Sequence, residues 1–162
     1  MPISHARLER TDFRRIAPAA EAAILALGQV LEESGIEQGL LELIKLRASQ
    51  INGCSFCTQY HLNIARKLDI PRRKLDLIAV WRDAGVFSDR ECAALAWTEM
   101  VTDVARQGVP DEAYAIVLQQ FSETELVFLT TAVGVINLWN RIAVAFRFSP
   151  PLPKQPGAGG AV

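Results

Sequence analysis

The chain has 162 residues, half of them apolar and 22% charged, the composition of one ordinary globular domain around a single core. Seventeen basic residues against eighteen acidic ones leave a net charge of -1, so no overall field favours nucleic acid, an anionic membrane or a polyanionic substrate. The opening MPISHARLERTDFRR turns charged before any apolar run develops, and no stretch of 18 or more purely apolar residues occurs. Both features argue against a secretory signal and a membrane span and make the cytoplasm the expected compartment.

Apolar residues recur at helical spacing, and alternating strand-like runs are nearly absent, which predicts an all-α fold of six to seven helices. The first spans 18–33, with Ile24, Leu27 and Leu31 on one face and a stop at Ser34-Gly35. A second, over 37–51, carries Leu40, Leu43, Ile44, Leu46 and Ile51 and stops at Asn52-Gly53, a dipeptide suited to a tight turn. A third starts near Cys54 and runs to about 68, with Leu62, Ile64, Ala65 and Leu68 toward the core. Pro71 favours the first turn of a short fourth helix over 71–81.

Ser88-Asp89-Arg90-Glu91 matches a capping box, in which hydroxyl and carboxylate reciprocally satisfy free N–H groups, and opens a fifth helix to about 106. Pro110 begins a sixth that ends before Phe121. Ser122-Glu123-Thr124-Glu125 is a second box, opening a long last helix to about 146. From Ser149 the composition changes: SPPLPKQPGAGGAV has too few large apolar groups to pack and too many prolines for a helix. One domain over 1–148 followed by a flexible tail over 149–162 is the expected organisation.

The chemistry concentrates at the start of the third helix. Cys54, Cys57 and His61 fall at i, i+3 and i+7, one stripe on a helix, with Glu42 twelve positions upstream. In a reducing cytosol a Cys-x-x-Cys pair is more often catalytic or metal-binding than a structural staple. The attacking species in thiol chemistry is the thiolate, so such a site must lower a cysteine pKa from about 8.5 toward ambient pH. The helix N-terminus offers partial positive charge to Cys54, His61 can take a proton from Cys57 one turn away, and Glu42 can orient the imidazole. Attack on a hydroperoxide leaves a sulfenic acid, which the neighbouring thiol condenses to a Cys54-Cys57 disulfide. A thiol or disulfide-exchange reductant must then reopen that bond. No metal, flavin or haem is required.

Two arguments divide on which sulfur attacks. The helix dipole favours Cys54; the i,i+4 relation to His61 favours Cys57, and this second argument weighs more because a positioned base both removes the thiol proton and protonates a leaving oxygen. Other uses of the same residues stay open: a protein disulfide reductase or redox adaptor, a non-catalytic redox sensor, or a zinc clasp with Cys54, Cys57, His61 and Glu42 as ligands. Elsewhere, Cys92 reads as an inert packed thiol and Trp81, Trp97 and Trp139 as core or interface anchors. Asn137, Asn140 and Arg141, at i, i+3 and i+4 on the apolar last helix, read as a helix-to-helix or subunit hydrogen-bonding patch.

LLELIKLRASQINGCSFCTQYH over 40–61, with WRDAGVFSDRECAAL over 81–95 and INLWNRIAVAFR over 136–147, resembles the alkylhydroperoxidase AhpD-like proteins of the carboxymuconolactone decarboxylase superfamily. The resemblance implies a compact all-α fold, a homo-oligomer such as a trimer or hexamer, and thiol-dependent peroxidase activity. By the same resemblance Cys57 is the peroxidatic cysteine, Cys54 the resolving one, and Glu42 with His61 the proton relay. One position departs from the family pattern: Phe56 stands where AhpD proteins place a second histidine. Decarboxylases of the superfamily generally lack the cysteine pair, so its presence argues against lactone decarboxylation.

Overall fold

The computed structural model describes residues 5–153, and every regular element among them is helical. In chain order these are α1 (Arg10–Ile16), α2 (Pro18–Glu32), α3 (Gln38–Ile51), α4 (Ser55–Lys67), α5 (Arg72–Leu77), α6 (Trp81–Ala84), α7 (Asp89–Thr102), α8 (Val104–Gln107), α9 (Asp111–Val117) and α10 (Glu123–Phe146). The all-α class expected from periodicity holds. Both capping boxes form, Ser88 with Glu91 ahead of α7 and Ser122 with Glu125 ahead of α10, each satisfying two backbone donors that a helix start otherwise leaves free.

Three differences from the sequence expectation have physical causes. The helix expected over 71–81 breaks into α5, a 3-10 turn over Ile78–Val80, and α6. Its buried residues Leu75, Ile78 and Trp81 are spaced three apart, a period that matches the three residues per turn of a 3-10 helix better than the 3.6 of an α-helix. The helix expected to reach 106 pauses at Asp103, which starts α8 and whose carboxylate takes a hydrogen bond from Gln107 Nε2 at 2.8 Å. α1 has no counterpart among the expected helices: it is charged, buries none of its residues, and is held from outside by Glu21 of α2, which is 3% exposed and meets Arg14 at 2.7 Å and Arg10 at 3.4 Å.

α3 and α10 form the centre. α3 packs against α4, α7 and α10, while α10 also meets α2, α4 and α7. One part of the core gathers Leu41, Ile44, Trp97, Leu129 and Val133; a second gathers Leu43, Leu46, Ile78 and Leu95. Full burial of each such side chain contributes about 1.5–3 kcal/mol. By length and composition α10 could cross a membrane, but it carries the buried amides of Asn137 and Asn140 and is packed by four helices, the position of a core helix. Of the segment expected to be a flexible tail, residues 154–162 lie outside the described residues. The first part is attached: Ser149 Oγ donates to Glu9 at 2.6 Å and the Pro151 carbonyl accepts from Asn63 at 2.9 Å.

Candidate active site

A tight turn joins α3 to α4 and sets the cysteines. Gly53 has φ +64°, a left-handed conformation that costs an L side chain about 1 kcal/mol or more. The Cys54 N–H then donates to the Ser49 carbonyl at 2.9 Å. Cys54 is therefore the residue that caps α4, one position earlier than the helix itself begins, and its sulfur accepts a hydrogen bond from the Cys57 N–H at 3.1 Å. The two cysteines are joined in a disulfide with their Cα atoms 5.4 Å apart. Both are buried, in a third part of the core with Ala48, Ile136, Ala143 and Phe148.

One helical turn beyond Cys57, the His61 ring is buried, and its Nδ1 lies 2.7 Å from Glu42 Oε2 on α3. The other carboxylate oxygen of Glu42 accepts from Lys45 Nζ at 2.9 Å. Burial alone would push the Glu42 carboxyl up; the hydrogen bond and charge of His61, with Lys45, outweigh it and hold the group below the usual carboxylate range. Toward an ionised Glu42, Nδ1 is the ring nitrogen that donates, and in the neutral ring the lone pair is then on Nε2. Such an imidazole can accept and return a proton. Glu42, Cys57 and His61, with Lys45 and Arg10, line one cavity of about 280 Å³ whose remaining wall is largely apolar, including Ile64 and Trp139.

All four residues singled out by spacing therefore meet, Cys54 through its disulfide and the other three around the cavity. The two basic residues of the cavity escaped the sequence reading. Lys45 sits three positions after Glu42 on the same helix, a spacing that could have found it. Arg10 gave no such signal; it comes from α1 and lies over the rings of Tyr60 and Trp139 at 5.5 and 5.6 Å. Phe56 is used in packing, edge-on to Phe148 with centroids 5.5 Å apart and stacked on Tyr60 at 6.0 Å.

The polar patch on α10 braces the turn. Asn52 Nδ2 donates to both Asn137 Oδ1 at 2.9 Å and Asn140 Oδ1 at 2.8 Å, and Asn140 Nδ2 donates to Ser49 Oγ at 3.1 Å. Arg141 donates to the carbonyl and the side chain of Asn137. This is hydrogen bonding between helices within the chain. The tryptophans also act within it: Trp97 Nε1 donates to Thr130 and Trp81 Nε1 to Glu99, both at 2.9 Å. Cys92 is half-buried, and burial, with the charges of Asp89 and Glu91, pushes its thiol up, as suits a packed sulfur. Among the described residues no group of three or more His, Cys, Asp or Glu is arranged to hold a metal ion.

A helical domain with a dithiol at a helix start and a buried carboxylate-imidazole pair beside it is the class that fold and site define together. Residues 18–100 match the Carboxymuconolactone decarboxylase family, and the chain belongs to that family as an AhpD-like member. It is 34% identical over 137 residues to the uncharacterized protein YdfG of Bacillus subtilis (strain 168), covering 85% of this chain and 93% of that one. A crystal structure from Agrobacterium tumefaciens, of a protein of unknown function described as a candidate AhpD antioxidant defence protein, is 39% identical with a TM-score of 0.87, covering 92% of this chain and all of the other. The debrominase Bmp8 shares the fold alone: 19% identity and a TM-score of 0.73, over 82% of this chain and 72% of that one.

Proposed function

We propose that the protein is a thiol-dependent peroxidase acting on hydrogen peroxide or organic hydroperoxides. The observation that carries this reading is the shared cavity of Cys57, His61 and Glu42, with His61 Nδ1 held 2.7 Å from Glu42 and Cys57 paired to Cys54. In the reduced enzyme, Nε2 of His61 takes the Cys57 proton. The thiolate attacks the distal peroxide oxygen, the O–O bond breaks, and the departing alkoxide takes the proton back from His61 as Cys57 becomes a sulfenic acid. The Cys54 thiol attacks that sulfur, releasing water and closing the disulfide. Two external thiols then supply the two electrons that reopen it.

Cys57 is the attacking sulfur because it lines the cavity beside His61, which Cys54 does not. Cys54 is suited to resolve, because it caps α4 three positions before Cys57 and is already held at bonding distance from it. The reading places the protein in a reducing, cytoplasmic compartment and in a homo-oligomer. The test is hydroperoxide consumption with dithiothreitol as reductant. Cys57→Ser should abolish turnover, Cys54→Ser should slow it by leaving dithiothreitol to reduce the Cys57 sulfenic acid directly, and His61→Ala should lower it by about 100-fold or more, the usual worth of a positioned acid-base group. Wild-type turnover no faster than that of Cys57→Ser would sink the proposal. Rapid reduction of a protein disulfide in the same preparation would favour the redox-adaptor reading.

A further inference from the structure

The two buried cysteines of the disulfide line different cavities. Cys57 lines the cavity with His61, while Cys54 lines a separate, more polar cleft of about 600 Å³. Phe56 and Ala143 border both spaces and stand between them. The Cys54 cleft is closed on one side by the α4 start at Ser55 and on another by the end of α10, with Val144 and Arg147; the N-terminal segment adds His5 and Glu9. Glu9 is engaged by Ser149. Arg147 is exposed and has no carboxylate within ion-pair distance among the described residues, so its cation is available to an anion entering the cleft.

Thiol-disulfide exchange is directional. The attacking thiolate, the sulfur attacked and the sulfur that leaves lie close to one line, so the reductant must reach the attacked sulfur from the side away from its partner. We infer that the reductant is a soluble thiolate that enters through the Cys54 cleft past Arg147 and attacks Cys54, so that hydroperoxide and reductant use opposite faces of one disulfide. The inference rests on the reading of Cys54-Cys57 as a working redox pair. In the step, a bond forms between the reductant sulfur and Cys54 as the Cys54-Cys57 bond breaks, and Cys57 leaves as the thiolate beside His61. A second thiol of the same class attacks the mixed disulfide, releases the oxidised reductant, and returns Cys54 as a thiolate that takes the proton the second thiol gave up. Each cycle consumes two thiols and delivers two electrons. Reduction from this side regenerates the Cys57 thiolate in the cavity where the next hydroperoxide arrives, and the two reactants never compete for one opening.

The test uses the full chain oxidised with diamide, with reduced glutathione as the probe and iodoacetamide to trap the sulfur that leaves. Peptide fragmentation should place glutathione on Cys54 and the alkyl group on Cys57; the reverse placement overturns the inference. In parallel, Val144→Trp, which fills the Cys54 cleft, should slow reduction by glutathione while leaving oxidation of the dithiol by cumene hydroperoxide fast, and Leu25→Trp, at the rim of the Cys57 cavity, should do the opposite. Should Val144→Trp fail to fold, Arg147→Glu at an exposed position serves instead, with reduction slowed on the order of tenfold at low salt. One substitution slowing both half-reactions equally would also overturn the inference. Because reduction is measured on diamide-oxidised protein, a dithiol that no hydroperoxide oxidises would defeat the proposed function without touching this result.

Discussion

Glu42 is the residue on which the site's electrostatics turn. It accepts from His61 on one oxygen and Lys45 on the other while 3% exposed, so both partners hold it ionised and orient it. Its carboxyl lies below the ordinary value of 4.5 in the folded protein. A group depressed in this way contributes stability above its unfolded pKa and loses it as pH falls through the folded one. Glu42→Gln should therefore flatten the acid limb of the stability curve below about pH 4.5, read by urea unfolding at a series of pH values. The same substitution removes the charge that fixes the His61 tautomer, so hydroperoxide turnover should drop as well. An unchanged acid limb would mean that the pair contributes nothing to folding. Phe56 is the residue at which this chain leaves the AhpD pattern, and its ring is committed to Phe148 and Tyr60. Proton transfer in the proposed mechanism consequently relies on the single imidazole of His61.

At the scale of elements, the turn between α3 and α4 is held by α10, some 85 residues further along the chain. Asn140 is fully buried and bonds Asn52 and Ser49 at once, and the Ser49 carbonyl in turn receives the Cys54 N–H. Removing the amide takes one hydrogen bond from Asn52, which keeps Asn137, and one from Ser49, which keeps the Lys45 carbonyl, at a cost of about 2 kcal/mol. Asn140→Ala should lower the urea midpoint accordingly while leaving the far-ultraviolet helical signal at low urea unchanged. A loss under about 0.5 kcal/mol would show that water replaces the bonds. Glu99 joins elements in the same manner: it accepts from Arg47 of α3 at 2.7 Å and from Trp81 of α6 at 2.9 Å, and also pairs with Arg82. Burial pushes its carboxyl up, and these three donors together bring it below the usual range. The broken α5–α6 segment is thereby tied to α3 and α7.

For the whole molecule the distribution of apolar surface is the informative quantity. α2 buries only Glu21 and Leu31, although most of its residues are apolar. Ile24, Leu27 and Leu31 share a face as the sequence suggested, yet Leu27 is 41% exposed, and Val30, one turn further on, 50%. An uncovered row of this kind suits the homo-oligomer of the proposed reading. Leu27→Glu should shift the mass seen by light scattering toward the single chain without loss of helical signal; a wild-type protein that is already monomeric at micromolar concentration would refute the assembly.

The sequence by itself determined the helical class, the two capping boxes, the turn at Asn52-Gly53 and the stripe of Cys54, Cys57 and His61, because each is written in spacings of a few residues. Periodicity and capping chemistry act between near neighbours along one helix, and such patterns survive any arrangement of the helices. Only the tertiary structure decided that Arg10 borders the cavity, that Asn140 braces the cysteine turn, and that α1 exists at all, since its support is a buried carboxylate on the next helix. It also decided that Cys54 and Cys57, three positions apart and bonded to each other, line separate cavities. Phe56 of α4 and Ala143 of α10 border both cavities, a placement of residues 87 positions apart that no local pattern encodes.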